Sequence, residues 1–490
     1  MTIRAETLLT PRATLDAMMP AIAGSGMLDA AAPSQGSASS SLLGAGAQSL
    51  TRLDVFNGYL GAFIAAFVVT LVATPVMRWL ATTNGVVDIP ENDRKIHRAP
   101  VAYLGGVAVY LGLLAAIAYA TIAPRFPAIF LFEPHHSELA QRQSSLFVVL
   151  AGMTAVMLAG LLDDVIGVSP RVKIAGLLFA AAFLAFADIG VRVAQGVLGP
   201  IGSFVGNPEL AWDVVLPFIG LSVHVDLIYW AGTVIIALFV LGACNASNLL
   251  DGLDGLLTGV TSIASAGLLV VALGLAVVDD GPLDSARVVL CMGLLGATLG
   301  FLPFNFKPAT IFLGDAGSLL LGFVTIVIVL SLGDTGKTFF VVAGLLIYAL
   351  PIIDTSLAIV RRRLSHQPIF SADNHHLHHM LERRLGVVGA VFSLYGIGVA
   401  FAVLGVLTSL GRARISYAIA LVLASYIAVT AVKMARKRLR EERDPAALTK
   451  SDHPVGPPAN GAKGAASFAS RASADQPQPK DRDPAAPRLI

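Results

Sequence analysis

The sequence predicts an all-α polytopic integral membrane protein with about eleven transmembrane helices and polar cytoplasmic loops. Its composition is the first indication, because 55% of the 490 residues are hydrophobic and only 13% are charged, whereas soluble domains carry roughly 25% charged residues. The mean hydropathy is +0.75. The second indication is a series of apolar runs, each close to the ~20 residues with which a helix crosses a bilayer.

Composition divides the chain into three segments. Residues 1–55 are rich in Ala, Ser and Gly and are predicted to form a disordered extension, because they have little apolar surface to bury. Residues 56–440 form the predicted transmembrane domain, and residues 441–490 form a predicted disordered cytoplasmic tail. The cysteines are Cys244 and Cys291, both in apolar runs, which argues against a disulfide framework or a cysteine-based zinc site.

The predicted spans follow one another between the two tails, near residues 57–80, 101–123, 146–162, 172–190, 228–247, 256–278, 286–304, 316–333, 338–360, 387–410 and 415–435. Most of the arginines and lysines between spans fall in one set of loops, at 78–100, 163–173, 245–256, 305–315 and 361–386. The positive-inside rule makes these loops cytoplasmic, with the N-terminus outside and the C-terminus inside. The opposite loop, 191–227, predicts a small hairpin or an interfacial helix.

The stretch NASNLLDGLDGLLTG, residues 245–259, carries polar groups at the end of a strongly apolar run. Asn245, Asn248, Asp251 and Asp254 recur at intervals of three, and residues three apart share one face of a helix. One aspartate is enough to cap a helix, so four spaced polar groups favour a functional site over a simple helix end.

Two further loops carry aspartates beside basic residues. GLLDDVIGVSPRVKIAG (160–176) places Asp163 and Asp164 at a helix end before Lys173, and adjacent carboxylates repel one another unless they share a cation or a proton. A solvated loop start is the alternative there. FNFKPATIFLGDAGSLLLG (304–322) places Asn305 before Asp315, for which a helix N-cap is an equal alternative.

The remaining two loops are rich in histidine and arginine. FSADNHHLHHMLERRLG (370–386) contains His376, His378 and His379 and follows a basic run that includes Arg362. Histidine and arginine suit a phosphate ligand, although a zinc site or a solvated pH-sensitive loop is also open. ENDRKIHRAPVAYLGG (91–106) contains Lys95 and could anchor the membrane face or hold an anionic head group.

Carboxylates, amides and cations therefore converge on one membrane face. Carboxylate and amide oxygens suit Mg²⁺, which takes few protein ligands together with substrate phosphates, and basic residues suit a diphosphate. The residue types together suggest phosphoryl transfer at the cytoplasmic surface, where cations neutralise charge and positioning does most of the catalysis.

The motifs DDVIGVSPRVK, NASNLLDGLDGL, NFKPATIFLGDAGS and ADNHHLHH, in this order, resemble the polyprenyl-phosphate N-acetylhexosamine-1-phosphate transferase family over roughly residues 57–435. Within the family the chain looks like the WecA-type branch rather than the MraY-type branch. The resemblance implies transfer of N-acetylglucosamine 1-phosphate from its UDP-sugar to undecaprenyl phosphate, with release of UMP, as the first step of a cell-envelope glycan. It leaves direct attack and a covalent aspartyl intermediate both open.

The resemblance also implies roles for individual residues. Asp315 would bind Mg²⁺, or Mn²⁺ in its place, with Asn248 as a second ligand. Catalytic positions would be Asp163 and Asp164 beside the lipid phosphate and Asp251 and Asp254 beside the nucleotide or the metal. Substrate contacts would come from a further set: Lys95, Lys173, Asn245, Asn305, Arg362, His376, His378 and His379.

The expected partners are the UDP-N-acetylhexosamine, undecaprenyl phosphate and membrane lipids, with no nucleic acid and with a homodimer as a possible assembly. The expected location is the bacterial inner membrane. A cation-coupled transporter is the alternative of a different class, because carboxylates inside membranes often mark ion paths. Transport sites lie near the bilayer midplane, however, whereas these carboxylates lie at the ends of spans. A noncatalytic scaffold whose histidines bind metal leaves the spacing at 245–254 unexplained.

Overall fold

The structure, a computed structural model, describes residues 51–88, 100–126, 143–216, 221–278, 283–334, 336–364 and 377–411, with short runs of one to three residues between 414 and 433. The predicted tail 441–490 lies outside the described residues. Of the predicted extension 1–55, residues 51–55 are described, and the first helix already begins at Arg52. The side chain of Thr51 accepts a hydrogen bond from the Asp54 amide, and the Asp54 side chain accepts one from the Thr51 amide, so a capping box defines this start.

Helices make up most of the described residues. They are α1 (Arg52–Thr83), α2 (Gly105–Ile122), α3 (Gln143–Ile166), α4 (Pro170–Phe186), α5 (Arg192–Val205), α6 (Leu227–Leu250), α7 (Leu256–Val278), α8 (Asp284–Asn305), α9 (Gly314–Ser331), α10 (Thr338–Ile347), α11 (Ala349–Leu364) and α12 (Leu377–Leu410). A 3₁₀ turn, Ala123–Arg125, follows α2.

Two small antiparallel hairpins complete the described structure. Strand β1 (Val87–Asp88) pairs with β2 (Val101–Ala102), with Val87 opposite Ala102. Strand β3 (Ala211–Leu216) pairs with β4 (Leu221–Asp226), with Ala211 opposite Asp226. The second hairpin and α5 both lie within the loop 191–227, for which the sequence predicts such an element, whereas the first hairpin is not predicted.

The helices confirm a polytopic membrane protein, although the count of eleven spans is not reached within the described residues. Eight helices there are long and apolar enough to cross a membrane. A ninth span results if α10 and α11 are counted together, and these two helices are bent by 79° at Tyr348, so the predicted span 338–360 is broken rather than one continuous helix. Helix α4 has 17 residues, and the predicted span 415–435 lies largely outside the described residues.

Helix α9 occupies the centre of the bundle and is buried along most of its length, with α2, α3, α6 and α8 packed around it. Small residues permit these close crossings. A Cβ on Gly106 would lie 2.1 Å from the backbone nitrogen of Gly317, and one on Gly160 would lie 2.5 Å from that of Ala316. Because lipid chains are as apolar as the helices, such close backbone packing is what holds membrane helices together. The first turn of α9 is thereby held between α2 and α3.

A buried ionic cluster joins α8 to the C-terminal end of α9. Arg287 is 1% exposed and lies 2.7 Å from Asp284 Oδ1 and 3.0 Å from Asp334 Oδ1 through its two terminal nitrogens. Arg287 therefore lies inside a helix and is paired, rather than in a solvated loop. We call this end of the bundle the far end. The site end is the opposite one, where α3 and α6 finish and α4 and α9 begin.

Candidate active site

One lysine joins two aspartates at the site end of the bundle. Lys173 Nζ, on the first turn of α4, lies 2.8 Å from Asp163 Oδ2 on the last turn of α3, and it also donates to Asp315 Oδ2 on α9. The three side chains are 20%, 23% and 26% exposed, so they are accessible to a solute at the surface. The structure thus brings together residues from two of the predicted loops.

Asp164 has a different task from its neighbour Asp163. Its Oδ1 accepts a hydrogen bond from the Asp315 amide at 2.8 Å, and its Oδ2 accepts one from the Ala316 amide at 3.0 Å. Asp164 therefore satisfies the N-terminus of α9 from another helix, and Asp315 is not itself the N-cap, which was the alternative reading of its position. Gly314 has φ +68°, and a Cβ there would lie 2.4 Å from Asp164 Oδ2.

Asn248 connects α6 to the same cluster. Its side-chain nitrogen donates to Asp315 Oδ1 at 2.6 Å and to Ser318 Oγ at 2.9 Å. Asn245, one turn earlier, instead donates to the Leu241 carbonyl of its own helix at 2.7 Å. The predicted helix includes Asn245 and Asn248 but ends at Leu250, so the spacing of three does not continue on a helix to Asp251 and Asp254. Of the two asparagines, Asn248 is the one whose amide reaches the carboxylates.

The turn after α6 carries the other two predicted aspartates. Asp254 Oδ2 accepts a hydrogen bond from the Ala309 amide at 3.2 Å and lies 3.7 Å from Lys307 Nζ. Among the residues that the structure describes, no such cation pairs with Asp251. Burial, together with the charges of Asp315, Asp164 and Asp254, raises the pKa of Asp251 to about 8. This carboxyl group is therefore protonated over much of the neutral range.

Asn305 lies inside the protein rather than in the carboxylate cluster. It is 3% exposed, and its side chain accepts a hydrogen bond from Thr258 Oγ1 at 2.8 Å and donates one to the Ile311 carbonyl at 3.2 Å. These bonds join α7, the end of α8 and the connection that leads to α9. The prediction that Asn305 hydrogen-bonds a nucleotide sugar is not tested by this arrangement, in which both functional groups of its amide are already used.

The histidine segment reaches the site through the start of α12. His378 is 1% exposed, its Nδ1 lies 3.3 Å from Asp354 Oδ2 on α11, and a Cβ on Gly252 would lie 2.5 Å from its Nε2. The ring therefore packs directly against the 251–254 turn. His379 Nδ1 lies 3.2 Å from Glu382 Oε2 on its own helix, and the two imidazole centroids are 4.4 Å apart.

Of the other three predicted residues, one is described by the structure. Arg362, on α11, is 6% exposed. Lys95 and His376 lie outside the described residues. The segment that follows the basic loop is described, and it is joined to the connection before α9: the Phe312 amide donates to the Ala102 carbonyl at 2.8 Å, and the Gly106 amide donates to the Leu313 carbonyl at 2.9 Å.

Sequence reasoning missed several residues around the cluster. Asp354 is a single carboxylate inside the apolar run LPIIDTSLAIV, which is itself a signal of function in a membrane helix. Tyr103 hydrogen-bonds Asp88, and burial raises the pKa of its phenol well above the ordinary range. Ser318, which accepts from Asn248, has no sequence signal beyond its place three residues after Asp315.

The residues at the cluster fit a magnesium ion better than a zinc ion. The described residues hold no group of three or more His, Cys, Asp or Glu side chains arranged for a metal. Asp163 and Asp315 offer carboxylate oxygens and share the ammonium group of Lys173, and Asn248 offers an amide. The carboxylate of Asp164 lies beside them, bonded to the amides of Asp315 and Ala316. Such a set, with few protein ligands and excess negative charge, suits Mg²⁺ held jointly with substrate phosphates.

Comparison with known proteins finds one family and several similar relatives. The model of glycosyl transferase family 4 matches residues 146–333. A probable undecaprenyl-phosphate N-acetylglucosaminyl 1-phosphate transferase of Bacillus subtilis is 30% identical over 69% of this chain and 83% of its own. A decaprenyl-phosphate N-acetylglucosaminephosphotransferase of Mycobacterium tuberculosis is 31% identical over 65% and 74%. The undecaprenyl-phosphate alpha-N-acetylglucosaminyl 1-phosphate transferase of Escherichia coli is 29% identical over 65% and 75%.

Proposed function

Because this chain belongs to glycosyl transferase family 4 and to its WecA-like branch, we propose that it transfers N-acetylglucosamine 1-phosphate from UDP-N-acetylglucosamine to undecaprenyl phosphate. This reaction initiates a cell-envelope glycan. The observation that carries the proposal is the cluster of Asp163, Lys173, Asn248 and Asp315, contributed by four helices at one end of an apolar bundle. Cations and carboxylates at the end of a membrane bundle suit a lipid phosphate reacting with a soluble diphosphate.

An apolar cavity of about 510 Å³ along α6 supports a lipid acceptor. It lies between α6 and the bent pair α10 and α11, and its lining includes Leu238 and Ala246 on α6 and Ile352 and Ile359 on α11. Ala246 lies in the last two turns of α6, so a polyprenyl chain in the cavity would run along α6 toward the site end of the bundle. Tyr348 OH at the bend hydrogen-bonds Ser247 Oγ, which joins the cavity wall to the residue that precedes Asn248.

In the proposed reaction a phosphate oxygen of the lipid attacks the β-phosphorus of the UDP-sugar. A new P–O bond forms there, and the bond from that phosphorus to the bridging oxygen breaks, so UMP leaves with the electron pair. Lys173 holds the two carboxylates together and is placed to neutralise phosphate charge, while Asp163 is placed to orient the lipid phosphate. A direct transfer needs no protein nucleophile, and a covalent aspartyl intermediate at Asp163 is the competing route.

A divalent cation belongs to this proposal. Mg²⁺, or Mn²⁺ in its place, would be held by Asp315 with Asn248 and Asp163, and it would supply charge neutralisation of the diphosphate. Asp164 contributes by holding the first turn of α9, so that Asp315 faces the cluster. His378 and His379 approach from α12 and would contact the diphosphate or the sugar on the side of the 251–254 turn.

The site end is proposed to face the cytoplasm of the bacterial inner membrane, where UDP-sugars are made. The positions of the carboxylates argue against a cation-coupled transporter, because Asp163, Asp251 and Asp315 lie at helix ends rather than midway along a span. The same family also contains the MraY-type phospho-MurNAc-pentapeptide transferases. The relatives found by comparison favour UDP-N-acetylglucosamine over UDP-MurNAc-pentapeptide as the nucleotide-sugar substrate.

The decisive experiment measures UMP released by purified protein from UDP-N-acetylglucosamine, undecaprenyl phosphate and Mg²⁺. We expect turnover with Mg²⁺, loss of turnover in EDTA, and recovery on adding Mg²⁺ or Mn²⁺. UDP-N-acetylgalactosamine and UDP-MurNAc-pentapeptide, offered to the same preparation, identify the preferred sugar.

Two variants show whether the carboxylate cluster is responsible for the release of UMP. Asp315→Asn should fold but lose turnover, whereas Asp213→Asn, an exposed residue of β3 paired with His224 at the far end, should retain it. Absence of UMP with every UDP-N-acetylhexosamine would refute the proposed function. Near-normal turnover by Asp315→Asn would remove that residue from the metal site.

A further inference from the structure

The buried contact between Asp354 and His378 links two helices that approach the site from different directions. Asp354 lies on α11 and His378 in the first turn of α12, with 3.3 Å between Asp354 Oδ2 and His378 Nδ1. Their side chains are 2% and 1% exposed. We propose that Asp354 is a positioning residue, which holds the His378 imidazole so that its Nε2 faces the substrate side of the 251–254 turn.

The chemistry of the contact determines which ring nitrogen faces the turn. A carboxylate only accepts hydrogen bonds, so Nδ1 of His378 must carry a proton while it contacts Asp354. The other nitrogen, Nε2, is then directed away from α11, and its position is defined by Gly252, where a Cβ would lie 2.5 Å from it. An imidazole held at one nitrogen by a carboxylate is fixed in both orientation and tautomer.

Two other histidine–carboxylate contacts in the protein do not have this character. His379 and Glu382 belong to the same turn of α12, and their side chains are 32% and 20% exposed. His224 and Asp213 pair at 2.9 Å across the exposed far-end hairpin, with side chains 66% and 73% exposed. Of these three contacts, the one between Asp354 and His378 is both buried and formed between different helices, which is what fixing a ring toward a site requires.

The neighbours of Asp354 on α11 allow a specific kinetic prediction. Ile353 and Thr355, the residues on either side of it, line the apolar cavity proposed for the polyprenyl chain. A substitution that merely disturbed α11 would therefore weaken the binding of the lipid acceptor as well as that of the nucleotide sugar. Loss of the positioning role alone should raise the KM for UDP-N-acetylglucosamine and leave the KM for undecaprenyl phosphate unchanged. This inference rests on the proposed function, since it assigns His378 to the nucleotide-sugar side of that reaction.

The test compares Asp354→Asn, Gly252→Ala and the control Asp213→Asn in the UMP-release assay. We expect Asp354→Asn to raise the KM for UDP-N-acetylglucosamine at least tenfold, with less than a twofold change for undecaprenyl phosphate. Gly252→Ala should have the same effect, because its methyl group would occupy the space of Nε2. Asp213→Asn should leave both KM values within twofold of wild type.

A second background separates positioning from stability. In His378→Ala, both Asp354→Asn and Gly252→Ala should change the UDP-sugar KM by less than twofold, because the ring on which they act is gone. The inference is overturned if Asp354→Asn has a wild-type KM for UDP-N-acetylglucosamine, or if the KM values for both substrates rise together. It is also overturned if Asp354→Asn still raises the UDP-sugar KM tenfold in the His378→Ala background. A wild-type protein that turns over no UDP-sugar overturns the proposed function and this inference with it.

Discussion

Replacing Asp164 by asparagine tests whether this residue holds α9 in place or takes part in chemistry. The carboxylate accepts from two backbone amides, those of Asp315 at 2.8 Å and Ala316 at 3.0 Å. An asparagine side chain has one acceptor oxygen, so it can keep one of these bonds and must turn an NH₂ group toward the other amide. The variant therefore loses one charge-assisted bond and places two donors against each other.

The expected magnitude follows from these two bonds. A hydrogen bond to a charged group contributes about 1.5–3 kcal/mol, and the favourable interaction of a carboxylate with a helix N-terminus adds about 0.3–1 kcal/mol. Relief of the repulsion from Asp163 and Asp315 offsets part of this loss. We expect Asp164→Asn to lower the free energy of unfolding by about 1–3 kcal/mol, and to reduce turnover because Asp315 lies in the turn that is released.

Unfolding of the detergent-solubilised protein by heat or denaturant measures this change, with UMP release measured on the same samples. Asp226→Asn is the matched control: Asp226 caps α6 by accepting from the Tyr229 amide at 3.0 Å, and asparagine is an equally good N-cap where one bond is made. The control should lose at most about 0.5 kcal/mol and keep its turnover. If Asp164→Asn is as stable as wild type but has lost turnover, the positioning role is refuted. Asp164 would then take part directly in the reaction.

Three further predictions follow from the same geometry. Lys173→Met removes the cation between Asp163 and Asp315, so it should unfold about 1–3 kcal/mol more easily, and Mg²⁺ should restore part of this loss in a thermal-shift assay; no response to Mg²⁺ would contradict the cluster as a cation site. The folded protein keeps a proton on Asp251 up to about pH 8, whereas an unfolded chain releases this proton at about pH 3.9. Between those two pH values, the contribution of Asp251 to the free energy of unfolding therefore falls as the pH rises. In EDTA, the unfolding midpoint of Asp251→Asn should therefore vary less with pH than that of wild type, and equal slopes would show that Asp251 is not desolvated. Topology reporters fused at residues 95, 170 and 375 should all lie in the cytoplasm, and one fused at residue 207 should lie outside. If any of the first three lies outside, the predicted loops cannot form one shared site.

Much of the site was predictable because its residue types are costly in a membrane. Asp163, Asn248 and Asp315 stand out at the ends of apolar runs, and the interval of three within 245–254 already places Asn248 on a helix face. The structure confirms that three of these loops meet, with Asn248 and Lys173 both bonded to Asp315. The bend at Tyr348 was missed, although Pro351 indicates it: proline cannot donate to the carbonyl four residues earlier, which is that of Ile347, the last residue of α10.

Residues of the same type have different roles in the structure, and the residue type alone does not predict which role each one has. Asp163 and Asp164 are adjacent in sequence, yet one pairs with Lys173 and the other caps α9. Asn248 faces the carboxylates, whereas Asn305 is enclosed between Thr258 and the Ile311 carbonyl. Each difference depends on which helix lies opposite the side chain.

The sequence by itself determined that the chain spans a membrane several times, which family it resembles, and which polar residues are candidates for the site. These properties are local, because the free energy of placing a segment in lipid depends on the residues of that segment. Only the tertiary structure decided which groups meet: Lys173 and Asp315 are 142 positions apart, and Asp164 and the Asp315 amide are 151 apart. Such contacts arise from close packing of small residues along α2, α3 and α9, and helix periodicity within a single segment carries no information about its partner.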